Sequence, residues 1–366
     1  MPKNQVSLTI SGVSYYGWLD VSVVVRLQSI ARSFKVVLTP KASEGNDYSF
    51  RIDVGEEVDL KIGDDLVLRG YITKITENYS SSEHKITIEG HSKTIDLVEC
   101  SVPDGNALSY KKLTVTQIVR DLAGYYGIGL VDEVPKTGTL DFDVSPEEKI
   151  KEALDRLIKK QHFLLTDNEK GQLVISDVGS GGDCKDRIVA GVNVLSRTRT
   201  QTASPLFCRY VVLGQGANPL SERPLADNQL KCVAENRGVR LRVCTRVMSG
   251  NATQADLQLR ATTLKQVSKA EADQLAYTVQ GWRQTKGELW KVNSMVLVDD
   301  DLLGIHKEYL ISAVTYTMNG KGMLTEMELC NPEKYRNTTP PSTQEAIKEI
   351  TINPVRSISK IGWTSK

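Results

Sequence analysis

The chain opens on short runs in which apolar and polar residues alternate. In Val6-Ser7-Leu8-Thr9-Ile10-Ser11 the apolar side chains fall on every second position, and a pleated strand turns such positions to one face. Phe34-Lys35-Val36-Val37-Leu38 and Lys85-Ile86-Thr87-Ile88-Glu89 keep the same rhythm, punctuated by Pro40, Gly63-Asp64-Asp65 and Ser80-Ser81-Ser82. Short strands with one apolar face must close on themselves or on a second sheet. Residues 1–100 are therefore expected to form a small β-barrel-like domain.

The rhythm changes near Ser101. Val115, Ile118, Val119, Leu122 and Tyr126 fall at helical spacing behind Thr114, a residue suited to the N-cap. A second helix is expected from Ser145-Pro146-Glu147-Glu148, where serine can cap, proline suits the first helical position and Glu148 can reach back. Its apolar stripe is Ile150, Ala153, Leu154, Leu157 and Ile158. Phe163–Thr166, a turn at Asn168-Glu169-Lys170-Gly171, and Leu173–Ser176 read as a hairpin. Residues 101–180 thus make an α+β insert domain, ended by Gly179-Ser180-Gly181-Gly182-Asp183, whose composition predicts a flexible joint.

Strand patterning then returns in Arg209–Leu213 and in the alternation of Val239, Leu241 and Val243. A helix is predicted from Asp256 to about Leu275, with Leu257, Ala261, Leu264 and Ser268 on one side. A meander follows in Tyr277–Trp282, Leu289–Val298, Tyr309–Met318 and Met323–Cys330. Residues 181–335 are expected to be a second β-barrel-like domain with one helix. Residues 336–366, polar and carrying Pro340-Pro341, read as an extended C-terminal tail with too little apolar surface to fold alone. The predicted fold is mainly β: two small barrel-like domains and a small α+β domain.

Charge narrows the function classes. With 46 basic and 45 acidic residues the formal charge is +1, so the molecule as a whole has no bulk attraction to nucleic acid or an anionic membrane. No apolar run approaches the roughly 18 residues of a spanning helix, and the polar start at Met1-Pro2-Lys3-Asn4-Gln5 does not read as a signal peptide; no membrane anchor is expected. The six cysteines, Cys100, Cys184, Cys208, Cys232, Cys244 and Cys330, contain no CxxC pair, which points to free thiols rather than a disulfide framework or a zinc site.

Candidate chemistry is thin. The four histidines are His84, His91, His162 and His306, with neither HExxH nor GxSxG present. His162, closing a helix, suits the macrodipole there. Two serine-x-x-lysine spacings, Ser82 to Lys85 and Ser357 to Lys360, lack the companion motifs of acyl transfer. Gly127-Ile128-Gly129 and Gly214-Gln215-Gly216 lead into no phosphate-cradling helix N-terminus. Asp299-Asp300-Asp301 reads as a solvated turn, because adjacent strand-end side chains diverge. No carboxylate pair stands out, and aromatic residues at 6% are few for a sugar cleft. No catalytic, metal or cofactor-binding residue is expected, and the chain does not read as an enzyme.

One feature is less ordinary. Arg240, Arg242 and Arg246 are placed on one face of a strand, opposite Val239, Leu241, Val243 and Val247, with Arg237 just before them. Same-face neighbours lie about 6.6 Å apart. Three readings stay open: a solvated face paired with local acids, a subunit-interface ladder using the arginine fork on carboxylates, or a surface toward DNA, which ordinarily takes more charge and nearby aromatic stacking.

Several stretches, in order, resemble the Mu-type baseplate hub family of contractile-tailed phages, related to tail hubs, late-control D proteins and type VI spike bases. They are Gly63-Asp64-Asp65-Leu66-Val67-Leu68-Arg69-Gly70-Tyr71-Ile72, then Ile86-Thr87-Ile88-Glu89-Gly90-His91-Ser92 through Asp96-Leu97, then Gln280-Gly281-Trp282, Leu289–Asn293, Tyr309–Val314, and Leu324–Leu329 before Asn331-Pro332. The resemblance implies a hub-like homotrimer of a late protein, assembled in the host cytoplasm and located in the virion tail baseplate. Each subunit would carry two related barrels, and the ring would join the tail tube to the central spike during tail assembly and DNA ejection. It implies other baseplate proteins as partners, passive contact with DNA passing through the ring, and no cofactor. No appended lysozyme or needle domain is read in this chain, so spike and wall-degrading roles are expected of other proteins. The alternative is a tail protein that binds or hydrolyses host-wall peptidoglycan.

Overall fold

The computed structural model describes residues 3–39, 52–81, 84–134, 138–158, 163–215, 229–251 and 253–335. In chain order the elements are β1 (Val6–Ile10), β2 (Val13–Tyr15), β3 (Asp20–Arg26), β4 (Ser33–Leu38), β5 (Glu57–Ile62), β6 (Asp65–Tyr79) and β7 (His84–Ser92). Next come α1 (Ile95–Glu99), β8 (Ser109–Thr114), α2 (Val115–Gly124), β9 (Leu130–Asp132), β10 (Thr139–Asp143), α3 (Ile150–Ile158), β11 (Leu164–Asp167) and β12 (Leu173–Ser176). The remainder is β13 (Ile188–Val189), β14 (Val194–Gln201), β15 (Arg209–Gln215), β16 (Gln229–Glu235), β17 (Val243–Asn251), α4 (Gln254–Ala272), β18 (Asp273–Gln280), β19 (Met295–Asp300), β20 (Ile305–Asn319) and β21 (Gly322–Cys330). The protein is mainly β, as its patterning predicts. It divides into a larger unit, residues 1–206 with 267–336, and a smaller one whose described part lies within 207–266.

In the larger unit the early and late strands share one hydrogen-bonded path, β14-β18-β21-β20-β3-β4-β7-β6-β5-β1-β2, with β13 and β19 alongside. The join is antiparallel, β3 on β20, from Val21 opposite Met318 to Arg26 opposite Ala313. One core serves both runs: Leu8, Val23, Val36, Leu60 and Ile88 pack in the same cluster as Tyr277, Trp282, Val298, Val314 and Met327. Trp282 is fully buried, and its indole N–H donates to the carbonyls of Thr317 and Leu324.

Two glycines in the early strands are demanded by close approach. A Cβ on Gly70 would lie 1.8 Å from the carbonyl oxygen of His91, and one on Gly90 would lie 2.4 Å from the Phe34 ring and from the Tyr71 carbonyl oxygen. Both fall where β6 crosses β7, beside a bulge between Ile72 and Lys74, and a side chain there would push the strands apart.

The insert builds its own core from Ile118, Val119, Leu122, Leu154, Leu157, Leu173 and Ile175. Thr114 caps α2 as expected, in a full capping box with Gln117. The second helix begins later than Ser145. Glu148 accepts the Ser145 N–H, completing only half of a capping box, and α3 itself starts at Ile150. The hairpin is as expected: β11 pairs with β12, and Asn168 Oδ1 accepts from the Lys170 and Gln172 N–H groups in the turn.

Residues 179–183 are not a loose joint. Gly179 N–H donates to Asn293 Oδ1, Gly181 N–H to the Asn293 carbonyl, and Asn293 Nδ2 donates to the Asp177 carbonyl. Asn293 holds a left-handed φ of 62° to do this, a conformation that asparagine tolerates better than most residues. Of the predicted meander, Leu289–Ser294 is not strand: Trp290 is buried there and accepts the Tyr316 hydroxyl through its carbonyl. His162, Ser82, Gly216, Ser357, Lys360 and the tail 336–366 lie outside the described residues.

In the smaller unit β15 is central, antiparallel to β16 and parallel to β17. Tyr210, Val212, Cys232 and Ala234 form one face of this sheet and pack on Leu257 and Ala261 of α4, the helix stripe that the sequence predicts.

Candidate assembly surfaces

Several arginines in the larger unit are bound to their own chain. Arg32 is buried in the link between β3 and β4. Its Nε lies 3.1 Å from Asp167 Oδ2, its two terminal nitrogens donate to the carbonyls of Val67 and Asp167, and its backbone N–H donates to Ser92 Oγ and Asp167 Oδ2. It thereby ties the insert's hairpin to the early strands. Burial pushes the Asp167 carboxyl up against the opposing pull of Arg32 and Ser92. Arg283 donates to the carbonyls of Lys3, Ile62 and Gly287 and pairs with Asp65. Arg197 pairs with Asp300, which also accepts the Tyr277 hydroxyl at 3.0 Å. Burial raises the Asp300 carboxyl, but the bonds from Arg197, Tyr277 and the Leu303 backbone outweigh it and hold its pKa below the usual value.

The aspartate turn is corrected in part. Asp300 points inward and is fully buried, whereas Asp299 and Asp301 turn out together and meet His306 across the hairpin. His306 Nδ1 lies 2.6 Å from Asp299 Oδ1, and its Nε2 lies 3.6 Å from Asp301 Oδ1. Alternation along a strand end puts positions two apart on one side. The group is exposed and already paired within itself. His91 lies within β7 rather than after it, its Nδ1 3.2 Å from Thr73 Oγ1, and His84 pairs with Glu77. Burial raises the Cys184 thiol to about 12 and the Cys330 thiol to about 11, so both stay protonated and weakly nucleophilic at neutral pH. An open groove of about 390 Å³, lined in part by Asp20, Ser22, Lys35, Lys85, Thr317 and Asn319, lies on the sheet around β3.

The arginines singled out in the sequence lie in the smaller unit, and their expected geometry needs correction. Only Arg246 is on β17; Arg240 and Arg242 lie in the segment before it, after a turn at Arg237-Gly238 where Gly238 has φ 86°. Arg242 lies over the Phe207 ring at 4.7 Å, and its carbonyl accepts the Cys208 N–H. Arg246 lies beside Val212, on the helix side of the sheet. The apolar residues opposite them are outside: Leu241 is 85%, Val243 49% and Val247 78% exposed. The register explains this, since Cys244 pairs with Tyr210 and Arg246 with Val212, which leaves the odd-numbered positions of β17 on the face away from α4. Alternation in the sequence gives two faces but not which one is covered.

Comparison with known proteins gives the class and then the family. Residues 5–92 match the family described as Mu phage baseplate assembly protein GpP-like, N-terminal. Residues 94–177 match Baseplate hub protein gp44-like, second domain, and residues 253–338 match Mu phage baseplate assembly protein GpP, fourth domain. The Baseplate hub protein gp44 of Escherichia phage Mu is 28% identical over 346 residues, covering 91% of this chain and 89% of that one. In fold, the chain is similar to the 43 kDa tail protein of prophage MuSo2 from Shewanella oneidensis (TM-score 0.79, 24% identity, 91% of this chain and 99% of that one). It is also similar to a tail protein from Neisseria meningitidis MC58 (TM-score 0.73, 22% identity, 90% and 98%). These matches define a structural protein of the phage tail baseplate, a component of the virion. The chain belongs to the Mu-type baseplate hub family. Among the described residues no helix is long and apolar enough to cross a membrane.

Proposed function

We propose that three copies of this chain form a ring that joins the tail tube to the central spike, acting by contact alone and without catalysis. The observation that carries the reading is the succession of three baseplate and hub family matches over residues 5–92, 94–177 and 253–338. A ring that holds a spike and a tube needs subunits that keep their shape under load. The single sheet path through β3 and β20, the Arg32–Asp167 tie and the Asn293 clamp supply that rigidity within one subunit. The ring assembles in the host cytoplasm late in infection, and DNA passes through it at ejection.

Imaging the purified full-length protein tests the reading, with three-fold rings as the expected particle. Single globular particles at every concentration would refute the ring. Incubation with purified peptidoglycan is the second arm. No loss of turbidity and no pelleting are expected, and either would replace the scaffold by the wall-directed alternative.

A further inference from the structure

Among the described residues, the sheet of the smaller unit has one face under α4 and exposed side chains on the other. On the face away from α4, Val211 is buried, Leu213 and Val233 are half-buried, and Val243 and Val247 are exposed, with exposed Leu241 leading into them. Leu213 sits beside Val247 on one strand and Lys231 on the other, and Arg209 sits beside Val243 and Glu235. Val243 and Val247 are 49% and 78% exposed. Thr245 lies between the two valines of β17 on this face, and aliphatic side chains exposed together on one sheet face mark a contact surface.

Charge points to the occupant. Residues 207–266 hold nine basic and four acidic side chains, a formal +5, in a chain of net +1. Residues 1–206 with 267–336 hold 33 basic and 39 acidic, a formal −6. A second copy of the chain thus brings an acidic body to a unit of net positive charge, whose face away from α4 carries Arg209 and Lys231. Nucleic acid fits less well: phosphates reward arginine but not valine, and bases stack on aromatic rings, which the open face lacks among its described residues.

We propose that this face docks on the acidic larger unit of a second copy, with valines at the centre of the contact and Arg209 and Lys231 at its rim. The contact is heterologous, head to tail, and such contacts close into rings when the rotation allows. The inference rests on the ring reading above and adds the surface that makes it.

Sedimentation velocity of the full-length chain tests it, comparing wild type, Val243→Lys with Val247→Lys, Val243→Thr with Val247→Thr, and the α4 surface control Gln258→Lys. Far-UV circular dichroism reports folding, and the threonine pair keeps strand preference should the lysine pair fold poorly. The expected result is an oligomer for wild type and control, a monomer for the lysine pair, and roughly tenfold weaker association for the threonine pair, following the loss of about 1.4 kcal/mol per decade. Raising the salt should weaken wild-type association further. A folded lysine or threonine pair that keeps the wild-type oligomer overturns the assignment of this face while leaving the ring intact. A wild type that is monomeric at every concentration overturns the ring reading itself. A salt-resistant mobility shift on short DNA, lost on Arg240→Ala with Arg242→Ala while both valine variants still oligomerise, would give the patch to nucleic acid instead.

Discussion

The two units spend their arginines differently. In the larger one Arg32, Arg197 and Arg283 are each closed on acids or carbonyls of the same chain, with side-chain exposures of 9%, 28% and 15%. In the smaller one Arg240 and Arg246 are exposed, as are Leu241, Val243 and Val247 of the same stretch. The side chain is the same; what differs is the local supply of acceptors. Thirty-nine acidic residues surround the first group and four accompany the second. An arginine that finds its partners inside the subunit locks the fold, and one that does not is available to another molecule.

The contrast can be broken most severely at a glycine. Gly70→Ala would place a Cβ 1.8 Å from the His91 carbonyl oxygen, with backbone rather than a flexible side chain in the way. A loss on the order of 3 kcal/mol or more is expected, read as a fall in the urea midpoint or failure to fold. Removing one partner of the buried pair comes next. Asp167→Ala leaves Arg32 buried without its carboxylate, and roughly 3–5 kcal/mol is expected; a loss below about 1 kcal/mol would mean that the tie between insert and barrel is ornamental.

Asp300 sharpens the comparison through pH. Its folded pKa is lowered, so its stabilisation is present above the unfolded carboxylate value of about 3.9 and is lost as pH falls through the folded value. Asp300→Asn should cost roughly 2 kcal/mol at neutral pH and flatten the acid limb of the stability curve. Asp167, with its raised pKa, has the opposite sign: its own ionisation costs stability as pH rises through the carboxylate range. Thr114→Ala removes the α2 cap and should cost about 1 kcal/mol. Arg240→Ala with Arg246→Ala should change monomer stability by less than about 0.5 kcal/mol; thermal melts that drop further would show these arginines serving the fold after all.

Local signals were legible in the sequence. Thr114 with Gln117, the Asn168–Gly171 turn and the Leu257–Ala261 stripe each need only neighbours along the chain. What could not be read were non-local choices. No periodicity tells that β3 pairs with β20 across nearly 300 residues, that the glycine-rich 179–183 segment is clamped by Asn293, or that Asp300 turns inward while Asp299 and Asp301 turn out. Which face of β17 is covered could not be read for the same reason, because it is decided by where α4 lands. The hub-like motifs around Gly70 and Gly90 were legible as a resemblance, and the close crossing of β6 and β7 gives their physical reason.

Light scattering on the purified full-length chain across the micromolar range weighs the central claim most directly. The hub account predicts a plateau at three times the mass of one chain, held together more weakly as salt is raised. A mass of one chain at every concentration and ionic strength would contradict it.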